Sequence, residues 1–83
     1  MPKKQKRTEQ EIREQIVRDA KIRLGCSEFE PDFTLHHVEL TNYPAANWDV
    51  QSVRGAEGWK PDCAQAFKEA IARARRKFDI AWA

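Results

Sequence analysis

Eighty-three residues, 34% of them charged and 41% hydrophobic, make one small domain whose core must be built from few side chains. A net charge of +2 with the signs well mixed is too mild to demand a nucleic-acid or membrane partner. No apolar run approaches the roughly 18–20 residues of a membrane span, and no apolar stretch follows the N-terminal charges as a secretory signal would require, so a cytoplasmic location is expected.

The charges are unevenly placed. Residues 1–25 hold eight basic and four acidic groups, residues 26–60 two and six, and residues 61–83 five and three. Two basic ends flank an acidic middle, which argues against a uniformly basic binding face.

Residues 1–7 carry Lys3, Lys4, Lys6 and Arg7 and no large apolar residue except Met1. Such a segment has nothing to bury, so it is expected as a disordered basic tail ahead of a single domain over residues 8–83. It is more often a solvated leader than a phosphate-gripping arm.

Thr8-Glu9-Gln10-Glu11 fits a capping box, with the Thr8 hydroxyl on the Glu11 amide and the Glu11 carboxylate reaching back. Ile12, Ile16, Val17, Ala20 and Leu24 then form one apolar helical face, and Gly25 is placed to end the helix with positive φ. Cys26–Asp32 is a connector, with Phe29 tucked under the domain edge and Pro31 blocking helix.

Phe33–Thr41 and Asn47–Arg54 read as two strands joined by a turn around Pro44. Neither alternates cleanly. Pairing them antiparallel sets Leu35 opposite Val53, Val38 opposite Val50 and Leu40 opposite Trp48, at the expense of Glu39 facing Asp49. The expectation is a strongly twisted hairpin, or one bulged near His36-His37. Being two-stranded, it needs helices or a second copy to cover it.

Gly55–Lys60 is a turn, and Pro61 suits the first position of a long helix over Pro61–Trp82. Cys63, Phe67, Ala70, Ile71, Ala74, Phe78 and Ala81 make its apolar stripe. The fold class is therefore α+β: a small α-β-β-α domain with a twisted antiparallel hairpin packed against two helices.

Cys26 and Cys63 lie 37 residues apart with no CxxC spacing, so free thiols acting as small apolar residues are expected ahead of a disulfide or metal role, and no metal or cofactor is assigned. His36 and His37 are adjacent and point to opposite faces of a regular strand, so they do not jointly hold a metal. No phosphate-cradling glycine loop or hydrolase motif is present in the sequence. Trp48 is expected in the core. Trp59 and Trp82 are the aromatics with most chance of partial exposure, beside a basic helix run that includes Arg75.

These residues point first to a small non-enzymatic binding or interaction module whose partner is another protein or a second copy of itself. The alternative is nucleic-acid binding through Lys3, Lys4, Lys6, Arg7, Trp59, Arg73, Arg76 and Lys77. A third reading, a small nuclease using His36 or His37, lacks an organised acid, base or phosphate clamp.

Overall fold

A computed structural model describes residues 5–38 and 46–81. Lys3, Lys4, Trp82 and residues 39–45, Leu40 and Glu39 among them, lie outside the described residues. The element order is β1 (Gln5–Arg7), α1 (Glu9–Lys21), β2 (Asp32–His37), β3 (Trp48–Arg54), a 3-10 turn (Ala56–Gly58), α2 (Pro61–Lys77) and β4 (Phe78–Ile80). The mixed α+β class and the antiparallel hairpin agree with the sequence.

α1 begins where its local chemistry says it should. The Glu11 amide donates to Thr8 Oγ1 at 3.1 Å and the Thr8 amide to Glu11 Oε1 at 3.0 Å. The Thr8 amide first, and its hydroxyl second, hold the Glu11 carboxyl below its usual pKa. Ile12, Ile16 and Ala20 are buried and Val17 is half-buried. Leu24 departs from the expected face: the helix stops at Lys21, a series of turns follows, and Leu24 is 97% exposed. Gly25 does take positive φ (87°), but in the turn leading to Cys26 and not as the helix cap.

α2 starts on Pro61 as expected and buries Cys63, Ala66, Phe67, Ala70 and Ala74. It ends at Lys77, short of Trp82. Phe78 is extended (φ −130°, ψ 144°) and opens β4. The helical period cannot register this stop, because what takes over the backbone is a strand from the other end of the chain. β1 pairs with β4 in parallel, Gln5 with Phe78, Lys6 with Asp79 and Arg7 with Ile80, and the Ala81 amide donates to the Arg7 carbonyl at 3.0 Å. Residues 5–7, expected as part of a disordered tail, are thus a strand.

α1 and α2 pack antiparallel. Arg23 bonds Glu69 at 2.7 Å, and Asp19, one turn earlier on α1, lies 3.8 Å from Arg73, one turn later on α2. This arrangement brings the end of α1 to the start of α2, and there Cys26 and Cys63 form a disulfide (S–S 2.08 Å, Cα–Cα 5.7 Å). Free thiols were the wrong expectation, because sequence spacing does not report the helix pairing that makes the two residues neighbours.

The hairpin register also differs. Phe33 faces Val53 and Leu35 faces Val50, so β3 carries one extra residue where β2 advances by two. Beyond the bulge, His36 faces Asp49 and His37 faces Trp48. The bulge therefore sits two to three residues before the histidines, and it replaces the expected Leu35–Val53, Val38–Val50, Leu40–Trp48 and Glu39–Asp49 pairings. Over Asp32–Leu35 β2 alternates, with Phe33 and Leu35 buried and Asp32 and Thr34 exposed; the alternation stops at the half-buried His36 and exposed His37. Phe33 meets Phe67 edge to face at 5.0 Å, and Phe67 likewise meets Trp59 (5.2 Å) and Phe29 (6.0 Å).

The two small sheets are joined through Asn47. Its Nδ2 donates to the Ile80 carbonyl (2.9 Å), and its Oδ1 accepts from the Ile80 amide (2.8 Å). A side-chain amide so occupies the edge of β4 away from β1, doing there what a neighbouring strand would. Asn47→Ala removes both bonds and should lower stability by about 2 kcal/mol, at about 1 kcal/mol for each. Asn47→Asp should lower it further, since a carboxylate would face the Ile80 carbonyl. Urea unfolding followed by circular dichroism measures both; an Ala variant with an unchanged midpoint would remove the strand-mimic role.

Candidate functional site

Of the six described residues expected to touch nucleic acid, four lie together, Arg73 is paired within the fold and Trp59 lies apart. Lys6 and Arg7 lie on β1 and are exposed; Arg76 and Lys77, exposed in the last turn of α2, directly precede β4. The parallel pairing puts all four at one end of the molecule. Arg7 is partly engaged there, with its guanidinium 5.7 Å from the Phe78 ring centre and 2.7 Å from Gln5 Oε1. Arg73 and Arg75 are held within the fold: Arg73 by Asp19, Arg75 by the Trp48 carbonyl (3.2 Å) and, more loosely, by Asp49 (3.8 Å). Trp59 is at the other end of α2, about 25 Å away by helix rise. It is half-buried against Phe29 at 4.9 Å, so its ring is part of the aromatic cluster.

His36 is half-buried and His37 exposed. The Asp49 carboxylate across from His36 already accepts from the Val50 amide (2.8 Å) and faces Arg75. Among the described residues no three His, Cys, Asp or Glu side chains are grouped to hold a metal ion. No helix among them is long and apolar enough to cross a membrane.

One concavity lies outside every site expected from the residue pattern. It is a groove of about 680 Å³ between the outer side of α1 and the start of β2. Two i, i+4 rows of α1 form its wall: Arg13, Val17 and Lys21 on one, Glu14, Arg18 and Ile22 on the next. Pro31 and the buried Phe33 complete an apolar floor with Val17. Ile22 stands at the end, 77% exposed.

The rim carries three cations, Arg13, Arg18 and Lys21, against one carboxylate, Glu14. The Arg13 guanidinium sits 5.8 Å from the Phe33 ring centre, which holds a positive charge over the apolar floor. Lys21 Nζ lies 3.8 Å from Glu30, whose side chain is 83% exposed. Arg13 and Arg18 have no carboxylate partner among the described residues. Chemically the site suits a ligand with an apolar face and negative flanks.

Sequence reasoning passed over it because Val17 was assigned wholly to the core stripe and Ile22 to none. Ile22 falls off the Ile12–Ile16–Ala20 stripe yet lies in line with Glu14 and Arg18 at four-residue steps. That mixed row was the available signal.

A scan against family models and searches of curated proteins and of solved structures found no significant match to the chain.

Proposed function

We propose that this chain is a small non-enzymatic binding module, and that the groove between α1 and β2 is the surface with which it engages a partner protein. The observation that carries the reading is the joining of an apolar floor (Val17, Pro31, Phe33) to the exposed Ile22 and an open rim of charges, within a volume typical of ligand sites. Scattered exposed apolar residues need no explanation, but a concave apolar surface of this extent in so small a domain does.

The test uses a synthetic amphipathic peptide with Leu at helical spacing and Gln elsewhere. Amide chemical shifts of Val17, Ile22 and Phe33 should move together on titration, and Ile22→Lys, at a side chain 77% exposed, should weaken the movement strongly while leaving the fold intact. Unmoved groove amides at saturating peptide would refute the module reading.

A second reading is supported by the gathering of Lys6, Arg7, Arg76 and Lys77 at one end: a modest phosphate-binding surface. It predicts affinity for a short nucleic-acid strand that falls steeply with salt, and no shift of such a strand at low salt removes it.

We read the compartment from the crosslink. A bonded Cys26–Cys63 pair persists in an oxidising environment. The cytoplasmic expectation then applies only to a chain carrying the pair reduced, and thiol trapping in intact cells distinguishes the two.

A further inference from the structure

We propose that the α1–β2 groove is selective for an acidic amphipathic helix, one whose apolar stripe is flanked by Asp or Glu. This rests on the binding-module reading and adds the chemistry of the partner.

Shape comes first. The wall runs from Gln10 to Ile22, a length of about 18 Å at the helical rise, which matches three turns of a docked helix. Its apolar points lie on rows of a helix surface, the pattern that a second helix meets with anchors at i, i+3, i+4 and i+7. The α1 wall presents side chains only, its amides being bonded within the helix, so it does not serve as the edge for an added strand.

Charge then selects among helices. Arg13, Arg18 and Lys21 surround the floor and outnumber the one carboxylate of the lining, Glu14, which accepts from Gln10 Nε2 at 3.1 Å. The Lys21–Glu30 pair, at 3.8 Å with Glu30 exposed, is loose enough to be exchanged for an incoming carboxylate. A second copy of this chain is disfavoured at the same place, because pairing two such grooves would bring like-charged rims together. Rim charges of this kind act mainly on encounter rate and discrimination, and the apolar floor holds the complex.

The experiment titrates full-length protein with three peptides of one Leu pattern, whose flanking positions are all Glu, all Gln or all Lys. The Glu peptide should bind about tenfold more tightly than the Gln peptide, with the Lys peptide weaker still. The advantage should shrink as salt rises from about 50 to about 500 mM, where the screening length falls below the width of the rim. The double variant Arg13→Glu, Arg18→Glu should reverse the order of the Glu and Lys peptides while leaving the circular dichroism spectrum unchanged. Equal binding of the Glu and Gln peptides would overturn the acidic selectivity and leave the groove reading standing. Binding of none of the three would remove both. Concentration-dependent shifts at Val17 and Ile22 in protein alone would identify a second copy as the occupant and overturn the proposal.

Discussion

Trp48→Ala should be among the most damaging single substitutions in the chain, lowering folding stability by about 3–5 kcal/mol. The Trp48 side chain is fully buried, and its Nε1–H donates to the Phe78 carbonyl at 3.0 Å. Its own carbonyl accepts from Arg75 Nε. One residue therefore connects the hairpin, the end of α2 and the first residue of β4. Truncation leaves a cavity the size of an indole and an unbonded carbonyl in a partly buried position. A domain of this length is stable by only about 5–10 kcal/mol in total, so the variant should lose a large part of it and melt well below the parent. Trp48→Phe separates the two contributions: it keeps most of the packing, loses the hydrogen bond, and should cost roughly 1–2 kcal/mol. Equilibrium urea unfolding reads all three proteins. An Ala variant within 1 kcal/mol of the parent, by about the error of such extrapolations, would mean the core does not depend on this ring.

Loss of the Cys26–Cys63 bond should have a comparable effect. The bond closes a loop of 37 residues, for which the chain-entropy relation gives about 4 kcal/mol of destabilisation of the unfolded state. Cys26→Ala with Cys63→Ala should therefore shift the thermal midpoint by roughly 15–30 °C at the 4–8 °C per kcal/mol typical of this size. Dithiothreitol should do the same to the parent and nothing further to the double variant. Both half-cystines are within 3% of full burial, so reduction should be slow until the region opens. A parent whose midpoint ignores reductant would show that the thiols do not pair in solution.

What the sequence revealed and what it concealed divide along the range of the interactions. The start of α1 was readable because Thr8 and Glu11 satisfy each other's backbone within one turn. The start of α2 was readable because Pro61 favours a first helical position whatever lies around it. The β2–β3 pairing was also evident as a pairing, but its register was not. The extra residue in β3 lies between Val50 and Val53, in a stretch where all of Gln51–Arg54 is exposed, so no buried pattern pins it. β4 was hidden inside an apparently continuous helix because the period of Ala70, Ala74 and Phe78 carries on past Lys77. Only the arrival of residues 5–7 alongside makes an extended Phe78 the better arrangement. The disulfide and the groove share that origin. Each is made by α1 lying against a distant segment, α2 in one case and β2 in the other, and neither leaves a local mark except the oddly placed Ile22.

The side-by-side course of β1 and β4 has a mechanical consequence. Because the two strands run in the same direction, traction applied at residues 5 and 81 would draw them past each other along their length, loading every rung of the ladder at once. An antiparallel pair held by the same ends would instead open one rung at a time. The short clasp, backed on its far edge by the Asn47 amide, thus sets this domain up to resist stretching in shear.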